Sequence, residues 1–414
     1  MNMKLIATAL LFSILIPVTC FSQSVNQFRG ANRDGFYQSK NLLKSWPPNG
    51  LKLTWKNDSI GNGYGSPAIA GSEILINGEV DSIGYLYCLD LSGKLKWKVP
   101  YGREWIYTFP GSRSTPTVEG DLVYVTSGMG NLSCFNLKDG SKSWSVSMRK
   151  QLHGRYTYHG HAESPLIVDN KVIIVAGGED TNVVALNRFS GAIEWICKGK
   201  GEIPGYNSPI LIQLPARKII VTFTAYHMLG IDASNGELLW THEQINTAPE
   251  ERKIGIGDTH SNSAYFRDGF IYYIAGDGNG AVKLKLSEDG KTITQIWRNP
   301  LIDNYMGGFI LLGDKIYTTS DSKKSLLTLD NISGQIIDSL KVGCGVTFWA
   351  DGLLYYYNQR GEIKLIKPSE KLEVISSMKV AYGTKEHFSL PVIENGILYI
   401  RHGKSLIAYS IQQQ

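Results

Sequence analysis

Cysteine is scarce in this sequence: five in 414 residues, with no CxxC, no CxxCH and no adjacent pair. The four beyond residue 22, Cys88, Cys134, Cys197 and Cys344, are too few to staple so long a chain. They are expected as small buried core residues. Long apolar runs are also missing, because after LIATALLFSILI near the start none approaches the roughly 20 residues that a membrane helix requires. Charge is spread without blocks, 42 basic against 37 acidic residues for a net +5, a balance that points to neither nucleic acid nor a membrane surface. Amphipathic patterning of helical length is absent, which excludes most α and α/β folds. So are HExxH and a serine-nucleophile motif. The glycine-rich GDGNG (276–280) and GGED (177–180) join strands instead of opening a helix, so neither is a phosphate loop.

What is present begins with a leader. Lys4, the run LIATALLFSILI, Pro17 and the small or polar VTCFSQS read as a secretory signal peptide over 1–22, cut between Ser22 and Gln23. Residues 23–414 are then expected to form one domain in the periplasm or outside the cell. Lipid anchoring at Cys20 is not expected, since Pro17 and Thr19 stand where that processing prefers Leu-like and small residues.

The body of the chain repeats at about forty to fifty residues, the spacing of propeller modules. The best copies run from a Ser-Pro or Thr-Pro to a tryptophan and end at Trp97, Trp144, Trp195 and Trp240. Each reads as four antiparallel strands, the last two joined by a turn that begins with Asp or Asn and closes on glycine: Asp90–Gly93, Asn136–Gly140, Asn187–Gly191 and Asp232–Gly236. The Asx side chain satisfies backbone amides at the start of such a turn, and glycine supplies the left-handed conformation that closes it. The tryptophan follows four residues after that glycine every time. Its indole is therefore expected to wedge between neighbouring sheets, with its N–H bonded to a carbonyl next door. Later copies drift: one reaches Trp297, and two end instead at Leu340 and Met378.

The final copy, LPVIENGILYIRHGKSLIAYSI, lacks its outer strand, whereas LKLTWK at 51–56 is an alternating strand with nothing attached. The intervening sequence thus predicts an all-β ring of eight four-stranded blades, closed by strand 51–55 pairing with 405–411. Closure would leave no open sheet edge. The stretch before it, QFRGANRDGFYQSKNLLKSWPPNG, shows no alternating pattern and predicts no strand partner.

The pattern L-D-x-S-G-x-x-x-W in blades of this length resembles the pyrroloquinoline-quinone (PQQ)-like β-propellers. That superfamily includes the quinoprotein alcohol dehydrogenases and the periplasmic scaffold of outer-membrane assembly. The opening QFRGANRDG is similar to that of a large exported bacterial group of PQQ-like repeat proteins. The resemblance implies the fold across the mature chain and says little about activity. The quinone enzymes use a disulfide between adjacent cysteines, a Ca²⁺ held by Glu, Asn and Asp, and a catalytic Asp. This shorter chain has no adjacent cysteines, so neither PQQ nor any other cofactor is expected.

In such a propeller the loop leading into each first strand forms the rim of a central funnel. These loops carry Tyr64 in GYGSP, Arg113 in GSRSTP, His159, His161 and Glu163 in YHGHAESP, and Tyr206 and Asn207 in GYNSP. They continue with Asp258, His260 and Asn262 in GDTHSNS, Asn304 and Tyr305 in IDNYMGG, and His387 in KEHFSLP. Four of the eight histidines fall here. Converging His, Arg, Glu and Tyr side chains could hold an anionic or sugar-like ligand, or supply an acid/base pair. The same residues could equally serve to satisfy inner-strand backbone. His159 and His161 have the spacing of two metal ligands on one strand face, but no third ligand has a recognisable spacing, so no metal is expected.

Two functions remain. The first is a monomeric ligand-binding or protein-interaction module, its partner a protein, a polar small molecule or an oligosaccharide. The second is a carbohydrate lyase or hydrolase with His161 and His260 as general acid/base candidates and Arg113 as an anion clamp. Quinone-dependent oxidation stands third.

Overall fold

A computed structural model describes residues 26–253, 255–258 and 260–413. The expected leader, its expected cleavage position and Cys20 lie outside the described residues. Eight sheets form the body, and in six of them four consecutive strands follow one another from hub to rim. The blades span 68–103, 117–147, 166–197, 210–243, 265–299, 309–340 and 345–379, and the eighth combines 392–410 with Lys52–Asn57. First strands of only three to six residues lie around the hub, and the longer, apolar second and third strands form the buried middle of each blade. Near-continuous apolar runs such as Lys171–Val175 arise because these strands are covered on both faces by neighbouring blades.

The ring closes as the repeat count requires. Lys52–Asn57 pairs antiparallel with Ser405–Ser410, placing Leu53 opposite Tyr409 and Trp55 opposite Ala408, with a bulge between them. Trp55 then docks on the first blade, its Nε1 donating to Leu91 O at 2.8 Å over Gly93. A Cβ at Gly93 would stand 2.4 Å from the indole, and its φ of +80° disfavours any L side chain. Arg401, also at this seam, is buried and donates to Gly61 O, Gly65 O, Asn77 O and Gly403 O.

The same dock recurs around the wheel, with indole N–H groups bonded to Leu137 O, Arg188 O, Ala233 O, Gly290 O and Asn331 O of the following blade at 3.0–3.2 Å. The last strands of blades six and seven, Ile336–Leu340 and Glu373–Lys379, carry no such indole. At blade seven Trp46 from the N-terminal segment packs on Tyr355 and donates to Ile363 O at 3.2 Å. A second belt runs nearer the hub. The amide of Ser66 donates to Thr115 Oγ1, that of Thr115 to Ser164 Oγ, and that of Ser164 to Ser208 Oγ, at 2.8–3.1 Å. These are the Ser and Thr of the Ser-Pro and Thr-Pro signals, so the hydroxyl in each repeat is a bond to the preceding blade.

One expectation is corrected. The stretch before LKLTWK does find strand partners: Phe36–Tyr37 runs parallel to the first strand of blade seven, making that sheet five-stranded, and Asn26 bridges to Val118 of blade two. Residues 26–37 therefore cross the hub, where first-strand backbone would otherwise be left unpaired. The four cysteines are free thiols, three of them buried.

Candidate functional site: a blind funnel at the hub

The crossing segment supplies a floor. Arg33 is buried and donates to Ser164 O at 3.0 Å, Pro209 O at 2.9 Å, Pro165 O and Gln27 Oε1. Arg29, also buried, donates to Phe309 O at 3.2 Å, Thr347 O and Asp34 O. Two guanidiniums thus serve carbonyls in or just before the first strands of four blades, a task their forked donors suit. Burial lowers both pKa values, that of Arg33 to about 9, which leaves it a cation at neutral pH. The carboxylate of Asp34 accepts the Phe36 amide at 2.9 Å, and burial raises its pKa.

Above this floor a cavity of about 390 Å³ opens toward the face that carries the loops between blades. Its wall is an arc of rings. Tyr64 packs on Phe388, Phe388 on Phe109, Phe109 on His159 and His159 on Tyr206, with centroids 5.7–5.9 Å apart. Tyr64 donates to Glu386 Oε2 at 2.7 Å, and Thr108 Oγ1 lies 3.0 Å from His159 Nδ1. Arg113 lines the cavity but turns its guanidinium to Gly111 O, Thr108 O and Phe109 O, so it braces its own loop. Outside the mouth, Tyr107 and Tyr158 are 74% and 72% exposed.

Of the residues singled out from the rim loops, Tyr64, Arg113, His159, Tyr206, Asn262 and Tyr305 line this cavity. The others do not. His161 is buried, with its amide on Gly128 O and its ring against Tyr156, and burial pushes its pKa down to about 4. His260 is buried and stacked on Phe223, with the Asp258 carboxylate 3.9 Å from Nε2. Its pKa is lowered by burial, against the pull of Asp258. Glu163 accepts the Val175 amide with both oxygens, and burial raises its pKa to about 8. Asn207 accepts from the Phe223 amide, Asn304 from the Gly307 amide, and Asp258 from Asn246, Thr247 and Asn279. Asn262, although it reaches the wall, is committed to Ile274 O, Asn304 O and the Gly308 amide. His387 stacks on His402 and meets the Tyr357 hydroxyl, and burial lowers its pKa to about 4. Glu163, Asn207, Asn262 and Asn304 thus satisfy backbone of second strands and lead-in loops, whereas His161, His260, Asp258 and His387 meet rings or other side chains. Among the described residues no three His, Cys, Asp or Glu side chains are grouped to hold a metal ion.

The wall residues that sequence reasoning passed over are mainly apolar. Phe109 and Phe388 lie in the same lead-in loops as the polar candidates, and the floor comes from QFRGANRDG, where two arginines four apart among glycines are the sequence signal.

The family model described as "Outer membrane protein assembly factor BamB" matches residues 82–340. The chain belongs to this BamB family. Outer membrane protein assembly factor BamB of Yersinia pestis is 22% identical over 298 residues, 70% of this chain and 71% of that one. Among solved structures, BamB from Moraxella catarrhalis superposes with a TM-score of 0.62 at 13% identity, over 87% of this chain and 99% of that chain. Quinohemoprotein alcohol dehydrogenase ADHIIG from Pseudomonas putida HK5 gives 0.54 at 13% identity, over 95% and 80%. At such identities the two structures speak for the fold alone. These findings give no support to the carbohydrate-enzyme expectation. A bound quinone does not fit the hub either: residues 26–37 occupy its floor, and Asp34 is the one acidic side chain lining the cavity among the described residues.

Proposed function

We propose that this chain is an exported periplasmic propeller that serves outer-membrane protein assembly as a scaffold, docking a protein partner over the mouth of the funnel. The observation that carries this reading is the aromatic collar. Tyr107, Tyr158 and Phe109 stand exposed on loops around a blind, ring-lined cavity. Exposed apolar rings beside a concavity are the usual makings of an interface hot spot. Membership of the BamB family supports the assembly role. In this reading the leader 1–22 directs export, residues 23–414 act as one monomeric unit, and Tyr64, Arg113, His159, Tyr206, Asn262 and Tyr305 face the bound partner. No helix among the described residues is long and apolar enough to cross a membrane.

The test is genetic and biochemical. In the native host, Tyr107→Ala combined with Tyr158→Ala should lower the amount of folded outer-membrane β-barrel protein toward that of a strain lacking the gene, with the variant itself present at normal levels. Unchanged β-barrel levels in both strains would overturn the proposal.

A further inference from the structure

On the same face as the funnel mouth but outside its lining, a second concavity of about 350 Å³ lies between blades six and seven. It is lined by Lys323, Lys324, Lys341, Arg360 and Lys364, with Glu362 as its one carboxylate. The whole chain carries a net charge of only +5, so this concentration is local and does not reflect composition. Topology brings it about. Lys323 and Lys324 occupy the turn between strands two and three of blade six, Arg360 the same turn of blade seven, and Lys341 follows the last strand of blade six.

The groove is held in shape from within. The Gly343 amide donates to Lys324 O at 3.0 Å, the Tyr356 hydroxyl to Gly343 O at 2.7 Å, and Lys341 Nζ to Lys323 O at 2.8 Å. Glu362 is already engaged by Lys364 at 3.1 Å and by Asn358 Nδ2 at 2.7 Å. Among the described residues, no carboxylate lies within ion-pairing distance of Lys323, Lys324, Lys341 or Arg360. Five cations held around a single carboxylate raise the energy of the free protein, and a multivalent anion relieves it.

We propose that this groove binds a phosphate-bearing group, presented either free in solution or on a lipid headgroup. An acidic protein surface fits less well, because hot spots of protein interfaces need apolar or aromatic anchors and Val342 is the one such side chain in the lining. Converging ammonium groups around a small concavity suit a compact, highly charged anion.

The experiment uses the mature chain and Lys324→Glu combined with Arg360→Glu, both exposed positions, so that folding is retained and checked by an unchanged melting temperature. Calorimetry with inorganic pyrophosphate should show binding to the wild type. The dissociation constant should rise about tenfold in the variant, and binding should weaken when salt is raised to about 0.5 M. Sedimentation with phosphatidylglycerol vesicles, against phosphatidylcholine alone, separates the sources: wild-type binding that the variant loses assigns a lipid headgroup, and pyrophosphate binding without vesicle binding assigns a free phosphate. Should the double variant fail to fold, Lys341→Glu replaces it. The proposal is overturned if the wild type binds neither probe, if the variant binds as well as the wild type, or if poly-glutamate displaces pyrophosphate at lower concentration than pyrophosphate itself.

Discussion

Replacing Arg33 by methionine isolates the role of the hub-crossing segment. The side chain keeps its apolar length but loses the donors that serve Ser164 O, Pro165 O and Pro209 O. An unsatisfied buried carbonyl costs about 1–3 kcal/mol. Taking the lower figure for each as a floor, the three together cost about 3 kcal/mol. An unfolding entropy of roughly 2.1 cal/mol/K per residue puts a chain of this size on the order of 0.8 kcal/mol/K, so the melting temperature should drop by about 4 °C. Differential scanning calorimetry or chemical denaturation reads this directly. Arg33→Lys should recover only part of the loss, since an ammonium cannot reach three carbonyls in a fork geometry. If Arg33→Met melts with the wild type, the segment does not hold the hub as described, and the floor of the funnel falls with it.

Two further outcomes follow from the blade contacts and the buried carboxyl. Trp195→Ala removes a buried indole, its bond to Ala233 O and its cover over Gly236, and should cost about 3–5 kcal/mol in denaturant titration, whereas loss below about 1 kcal/mol would contradict the docking role. Glu163 holds its proton to about pH 8 when folded but releases it near pH 4.5 when unfolded. Between those values the folded state binds more protons, so stability falls as pH rises, by at most about 1.4 kcal/mol per pH unit. Glu163→Gln keeps an acceptor for the Val175 amide and has no proton to lose. The variant should therefore gain on the wild type as pH is raised from about 5 to about 8 and hold that gain above it; a difference that stays constant with pH would refute the buried, protonated carboxyl.

The blade count, the closing strand and the indole docks were legible because each is a repeated, short-range pattern: an Asx–Gly turn, a tryptophan four residues on, and one repeat short of one strand. Residues 26–37 were not, because their order comes from bonds to carbonyls more than a hundred positions away, such as Arg33 to Pro165 O and Arg29 to Phe309 O, and no local periodicity records such bonds. At the rim, residue type showed that the loops are polar but not which way each side chain turns. His159 and His161 share a strand-like spacing, yet one joins the aromatic arc and the other is buried beside Gly130, because the lead-in is an irregular loop and the period-two rule does not hold there. Phe109 and Phe388, apolar residues of the same polar loops, form much of the wall.

The most direct test of the scaffold reading places a photo-crosslinking amino acid at Tyr158, on the collar, and separately at Ile332, 75% exposed in the Asx–Gly turn of blade six on the opposite face. Irradiation in the native host should trap an outer-membrane assembly protein from position 158 and not from position 332. Equal trapping from both, or trapping from 332 alone, would contradict docking at the funnel mouth.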